Sequence, residues 1–522
     1  MGAFGVNLPF DKGVYFSLPS FEMAKGYDII VIGGGLGGLT CGALTANAGL
    51  STVLIEQEEQ VGGYATNFSR DGFLFDSAVH LIGRCAPGGL IYDMLERLKL
   101  TDHVKFLQVE PLHRYIFPEH DLRVPSDLKE YQELLERHFP QEQIGKLFET
   151  MARLAKDSAR LSGGLRAKDL ATFSIKHPLV FKYHNKPLQA LLDDHTKDKK
   201  LQAIITASWG YYGLPPERLS ALYFVGGWLS YHAQGGFVIR GGAQVLSDAL
   251  ANSIKENGSS VLLQTRVKKI ILEDGRAAGV ELEGGEVLKA KYIVSNASAP
   301  QTYLKLVGRE YLSKDLIKQL ESWEPSASAF QLYLGVQLDR LDIPDYTLFI
   351  ADTYDHSAVY RDLMEAEPEF RGYGMTIYTN VEPERAPAGH QVIHLITLAN
   401  YESWRAALNR SEEAYREMKE RWTERLLTRA ELLIPGLKAG IKIQEVATPL
   451  TMEHYTLNHQ GAIYGWAQTV EQSGLRRPQV KSPIPGLYQA GAWTFPGGGV
   501  AAVIPSGALA ARAILRDAGV EA

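Results

Sequence analysis

Residues 28–44 read DIIVIGGGLGGLTCGAL, and the fold depends on how this glycine-crowded stretch is taken. An apolar run ends at Ile32, Gly33, Gly35 and Gly38 come next in the spacing GxGxxG, and a small-residue helix starts at once. Strand, tight turn and helix in that order are the context of a dinucleotide fingerprint. Gly33 permits the turn, Gly35 lets bare backbone approach a pyrophosphate, and Gly38 lets helix and strand pack closely. Leu36 and Gly37 lie at the helix N-terminus, where free N–H groups meet phosphate charge. The next segment, STVLIE at 51–56, is β-rich, so residues 27–56 form a βαβ unit. Glu56 closes it, 18 residues beyond Gly38, where a carboxylate accepts hydrogen bonds from ribose hydroxyls and repels a 2′-phosphate. A glycine-rich turn alone could serve close packing; strand, helix and acid together argue for a nucleotide.

The residues just after Glu56 separate a flavin from a nicotinamide dinucleotide. Gln57 stands beside the acid, and Gly62 and Gly63 come a few residues later in EQEEQVGGYATNF. They allow a second length of bare backbone beside the same cofactor, with the Thr66 hydroxyl nearby. A nicotinamide domain has no such need, and FAD is the expected cofactor.

Composition narrows the remaining classes. A chain of 522 residues is too long for one compact core. Hydrophobic residues at 45% and charged residues at 22% are ordinary globular values. A net charge of −6 provides no basic field, so a nucleic-acid partner is not expected. The two cysteines, Cys41 and Cys85, form no CxxC, which fits a reducing compartment and offers no metal site. No secretory signal or transmembrane stretch is read, and the expected setting is cytoplasmic.

The texture of the chain predicts an α/β fold in which a Rossmann-like FAD-binding domain is interleaved with a substrate domain of mixed sheet and helices. The FAD domain is assigned to 27–84, 236–300 and 482–522, and the substrate domain to 85–235 and 301–481, with 1–26 an extension. Within it, 85–235 reads as a mainly helical insertion, from patterns such as LKEYQELLERHF.

Here a resemblance becomes plain. The fingerprint, the Gly62–Gly63 pair and the closing stretch SPIPGLYQAGAWTFPGGGVAAVIPSGALAA resemble the phytoene desaturase, carotenoid isomerase and retinol saturase branch of the flavin amine oxidase superfamily. Gly491, Pro496, Gly497 and Gly499 match that branch's closing motif. GFVIRGGAQVLSDAL, AKYIVSNASAP and TPLTMEHYTLNHQGAIYGW agree with it as well. The resemblance implies that Val267 exchanges backbone hydrogen bonds with the adenine. It also implies that the helix opened by Val500 and Ala501 aims its N-terminus at the flavin pyrimidine edge, where charge accumulates on reduction. Ala492 departs from the aspartate that many flavoproteins place there, which removes one anchoring group.

The implied activity is hydride transfer at carbon–carbon bonds of a hydrophobic polyene or isoprenoid, as desaturase, isomerase or saturase. No second GxGxxG is present, so a quinone, oxygen or transiently bound NAD(P)H are the open electron partners. Polar and aromatic candidates for the substrate side are His80, Arg84, Tyr211, Tyr212, His232, Tyr401, Trp404, His454, Tyr455 and Tyr464. No acid or base is assigned among them, because buried histidines and tyrosines are mostly scaffold. The aromatic and glycine-rich stretch 208–236 could line a tunnel for a polyene or simply form a helical core. If the substrate lives in lipid, an apolar patch of the insertion should rest on the inner face of a membrane without crossing it. Two alternatives stay open: a flavin amine oxidase with an aromatic cage from Trp404, Tyr455 and Trp466, and a flavin-bearing binder of an apolar ligand.

Overall fold

A computed structural model of the chain describes residues 26–161, 172–338 and 341–520. Most of the expected N-terminal extension therefore lies outside the described residues. The apolar run at 27–32 forms the strand Tyr27–Ile32, whose last four residues are buried. It lies between Thr52–Ile55 and Val287–Ser295, parallel to both. Ser260–Leu262 extends this sheet beyond Thr52–Ile55, and Leu487–Gln489 pairs with the far half of Val287–Ser295. The near half of Val287–Ser295 pairs instead with the antiparallel ribbon Val267–Glu273 and Arg276–Leu282. Segments from the start, middle and end of the chain thus build one sheet.

Helices cover one face, among them Ala243–Glu256, whose Leu246, Leu250 and Ile254 share the core of Ile29, Val31 and Leu54. The fingerprint helix Leu36–Asn47 is buried over all but its last residue, as expected of an all-small, apolar helix between sheet and neighbours. The closing helix Val500–Ala518 packs on it, and the crossing is close because Gly507 faces the Gly37 carbonyl.

A second sheet has seven strands, in the order Ile441–Ala447, Ser328–Gln337, His390–Ala399, Gly372–Ile377, Thr347–Ala351, His113–Ile116 and Asp121–Val124. Its last two strands come from the 85–235 segment, which the sequence pattern presents as mainly helical. Phe106–Val109 of the same segment pairs with Gly236–Ile239. Most of the segment's other described elements are helices, including Leu128–His138, Ile144–Leu161 and Ala221–Gln234, packed around Tyr131, Phe148, Phe224 and Trp228.

A buried ion network ties the strand Phe73–Asp76 to the turn at 382–385 and to the start of the helix Ala243–Glu256. Arg385, 1% exposed, donates from Nη1 to Asp76 and from Nε to Glu382, each at 2.7 Å. Asp76 in turn accepts the Ala243 N–H at 2.7 Å, and Glu382 accepts the Gly241 N–H at 2.5 Å. Each charge is paired and hydrogen-bonded, as burial demands.

Candidate active site

One cleft of about 2130 Å³ runs between the sheets. It is at least twice the upper end of ordinary small-molecule pockets, so it has room for a dinucleotide and a further ligand together. At one end lies the fingerprint. Gly33 has φ +93°, and a Cβ on Gly38 would sit 2.3 Å from the Gly33 carbonyl oxygen. The fingerprint helix has no side chain capping its N-terminus, which leaves its first N–H groups free for an anion.

Three distant segments meet at this point. The Gly62 N–H donates to the Gly34 carbonyl at 2.8 Å, setting the second glycine pair against the first. Asn296, from the end of Val287–Ser295, nests among the glycines: a Cβ at Gly35, Gly37 or Gly491 would lie within 2.7 Å of its amide. Gly499, at φ +84°, caps the closing helix, which also has no side-chain cap. Both helix N-termini therefore open toward one cleft.

Of the residues expected to hold the cofactor, Gly33, Gly35, Leu36, Gly37, Glu56, Gln57, Gly62, Gly63, Thr66, Val267, Gly491, Ala492, Gly499 and Val500 line this cleft. Gly38, Gly497 and Ala501 lie behind it: Gly38 against Gly33, and Gly497 against Gln468. Glu56 lines the cleft while its carboxylate accepts the N–H groups of Gly34 at 2.6 Å and Glu58 at 3.0 Å. Burial pushes its carboxyl above the usual range, and those backbone N–H groups pull it back. Cradle, unprotected helix N-termini and recessed carboxylate fit a flavin dinucleotide. Asn296 is a site residue that the motifs alone do not reveal, although a polar residue at the C-terminal end of a strand beside the fingerprint strand is a signal that could find it.

Farther along, the wall becomes aromatic. Trp209, Tyr211, Tyr231, Tyr333 and Phe349 line the cleft together with His80. The backbone from Ser77 to Leu81 carries His80 and is held by tyrosine hydroxyls. Tyr333 donates to the Ser77 carbonyl at 2.5 Å, Tyr378 to Val79 at 2.8 Å, Tyr346 to His80 at 3.4 Å and Tyr231 to Leu81 at 3.3 Å. Ser77 also bonds Thr66 through their hydroxyls at 2.9 Å, tying this segment to the glycine loop. His80 and His394 share a 2.7 Å hydrogen bond, and burial lowers the His80 imidazole to about 4. Burial and the neighbouring His80 hold His394 well below its usual value, so both rings are neutral at neutral pH.

The other substrate-side candidates divide. Tyr211, His454, Tyr455 and Tyr464 line the cleft. Tyr212 packs against Phe224 in the helical core, and His232 stacks on Tyr131 with ring centroids 5.0 Å apart. Arg84 and Tyr401 are not among the cleft-lining residues. Tyr401 instead bonds Glu453 and Arg405. The stretch 208–236 is thus wall at Trp209–Tyr211 and Tyr231, while Tyr212, Leu219, Phe224 and Trp228 lie in the core. Trp404, Tyr455 and Trp466 do not come together as the aromatic cage of an amine oxidase. Trp404 stacks on Phe330 inside one hydrophobic cluster, Trp466 packs on Trp493 inside another, and Tyr455 is 58% exposed.

Comparison with known proteins agrees with this geometry. Residues 36–515 match the family described as flavin containing amine oxidoreductase. The chain is 27% identical to prolycopene isomerase 1, chloroplastic, of an Oncidium hybrid cultivar, over 96% of this chain and 86% of that one. It is 25% identical to a 4,4'-diapophytoene desaturase of Methylomonas sp, over 94% and 96% of the two chains. The crystal structure of an oxidoreductase from Methanosarcina mazei superposes with a TM-score of 0.63 at 18% identity, covering 94% of this chain and 99% of that one. The fold is shared with that oxidoreductase, and the chain belongs to the flavin containing amine oxidoreductase family as a flavin-dependent oxidoreductase.

Proposed function

We propose that the protein binds FAD and transfers hydride at carbon–carbon bonds of a hydrophobic polyene or isoprenoid, carotenoid- or retinoid-like in character. The observation that carries this reading is the continuity of one cleft from the paired glycine loops to the wall of Trp209, Tyr211, Tyr231 and Phe349. A long apolar ligand can lie on such a wall while one of its bonds reaches the cofactor end. FAD, bound through Gly33–Gly38, Glu56, Gly62–Gly63, Val267 and Gly491–Ala501, would supply the two-electron chemistry. The chain's own residues hold it at two helix N-termini and exclude water with the aromatic wall. The named relatives, a prolycopene isomerase and a diapophytoene desaturase, support the substrate class. Quinone, oxygen or NAD(P)H are the candidate electron partners.

The amine oxidase reading is weakened by the scattered positions of Trp404, Tyr455 and Trp466. Two measurements decide between them. The cofactor released from purified protein should be FAD; anaerobic mixing of the oxidised flavin with phytoene should bleach it, or mixing of the dithionite-reduced flavin with all-trans-retinol or poly-cis lycopene should reoxidise it or isomerise the polyene, whereas an amine panel should do neither. A flavin bleached by amines and inert to every polyene would overturn the proposal.

A further inference from the structure

Arg385 and Arg477 are each 1% exposed, and the fold treats them in opposite ways. Arg385 lies between two carboxylates, so burial, which would depress its guanidinium, is outweighed by Asp76 and Glu382 and it stays above its usual value. Among the described residues, Arg477 bonds only to backbone carbonyls. Its Nε donates to Thr494 at 3.1 Å and its Nη1 to Gln472 at 3.2 Å. Its Nη2 donates to Ala492 at 2.6 Å, Trp466 at 3.0 Å and Tyr464 at 3.5 Å. Carbonyl dipoles satisfy the donors but leave the net charge uncancelled. Burial lowers the guanidinium only to about 10, so it is a cation at neutral pH.

Two of the five carbonyls gathered by Arg477, those of Tyr464 and Ala492, belong to the cleft wall. Tyr464, Ala492, Trp493 and Gly499 all line the cleft. In a trans peptide the C=O and the following N–H point opposite ways. Turning the Ala492 carbonyl toward Arg477 therefore turns the Trp493 N–H away from it, and that N–H donates to no backbone carbonyl among the described residues. The uncapped closing helix begins on the same wall at Gly499, and Ala492 brings no carboxylate to it. A helix N-terminus opens on the cleft at Gly499, with a whole positive charge behind the neighbouring Ala492.

We infer that Arg477 is a positioning residue for charge on the cofactor: an unpaired cation behind the Ala492–Gly499 wall that favours the anionic, two-electron-reduced flavin over the neutral oxidised one. Uptake of a hydride by the neutral ring leaves one negative charge on it unless a proton is also taken up. A fixed cation in a buried wall stabilises that charge without solvent reorganisation. Arg477 would thus bias the site toward taking a hydride. The inference rests on flavin binding in this cleft and is independent of which substrate the cleft accepts.

The test uses the flavin-loaded protein and needs no substrate. The midpoint potential is measured against reference dyes, and sulfite affinity is read from bleaching of the flavin band, in the wild type and in R477K, R477M and A492D. R477M removes the charge, R477K keeps it with fewer donors, and A492D adds a compensating carboxylate to the wall while keeping all five backbone carbonyls around Arg477. The expectation is a roughly tenfold loss of sulfite affinity in R477M and A492D, the size of a unit-charge effect through one layer of protein, with the potential moved negative. R477K should stay within about twofold of the wild type on the same reasoning. Unmoved sulfite affinity and potential in A492D overturn the inference, as does an R477K that falls as far as R477M, since hydrogen bonding and not charge would then be responsible. If R477M does not take up flavin, A492D and R477K decide. A polyene panel that fails to react sinks the substrate proposal alone and leaves these readouts intact.

Discussion

Replacing Gly507 by alanine is expected to loosen the flavin site even though alanine is the better helix former. The closing helix Val500–Ala518 crosses the fingerprint helix at Gly507, where a Cβ would sit 2.3 Å from the Gly37 carbonyl oxygen and 2.9 Å from the Thr40 Cβ. Ordinary contact begins near 3.4 Å, so the two helices must part by about 1 Å in an interior with little free volume. Taken alone, glycine to alanine inside a helix stabilises by about 1 kcal/mol. Overpacking costs roughly 1–3 kcal/mol, and here the obstacle is backbone, which cannot swing aside. The steric cost prevails, for a net loss of up to about 2 kcal/mol. Because both helix N-termini open on the cleft, the same displacement moves Gly499 away from Gly37, and cofactor affinity should fall more than stability does. Flavin content of the purified variant and the thermal midpoint of its flavin-free form measure the two effects. Full flavin occupancy together with a raised midpoint would refute the reasoning, because that is how an alanine behaves where no clash exists.

Acid should destabilise the fold before most carboxylates titrate. Burial lowers His80, His232 and His356 to about 4 and His113 to about 3, so between their unfolded value near 6.5 and pH 4 the unfolded chain binds protons that the folded one refuses. Each contributes up to about 1.4 kcal/mol of lost stability per pH unit; denaturant unfolding from pH 7 to 5 checks this, and a flat profile contradicts it. Substituting tryptophan for Tyr211, a wall residue, should change which polyene lengths react at near-normal stability. Trp228→Ala, in the helical core beside Phe148 at 5.1 Å between ring centroids, should instead cost about 3–5 kcal/mol with an unchanged product range. A membrane contact through the 85–235 segment predicts that Ile175 and Phe181, 79% and 52% exposed, carry it; I175E/F181E should lose flotation with anionic vesicles that the wild type shows, and equal flotation of both would discard that surface.

How far the sequence reveals this site depends on what each position asks of its side chain. Gly33, Gly35 and Gly37 are legible because turn geometry and close approach to Asn296 admit no Cβ, a demand that selects residue type and so leaves a trace. Val267 lines the cleft, but a main-chain contact is open to any residue, and only family resemblance can suggest it. The strands His113–Ile116 and Asp121–Val124 are hidden because each is four residues long, too short for a period-two pattern to stand out among leucine-rich helices. Aromatic residues at 208–236 read the same whether they face a cleft or a core; only tertiary packing separates Tyr211 from Tyr212. Arg477 is the extreme case. In GLRRPQV it stands beside Arg476, which is exposed and bonds the Val470 carbonyl, and composition gives no reason to prefer one over the other. What distinguishes them is burial without a counter-ion, a property of five carbonyls converging from three loops. Charge that acts through a wall is therefore the part of a flavin site least accessible to sequence, while backbone that must touch the cofactor is the most accessible.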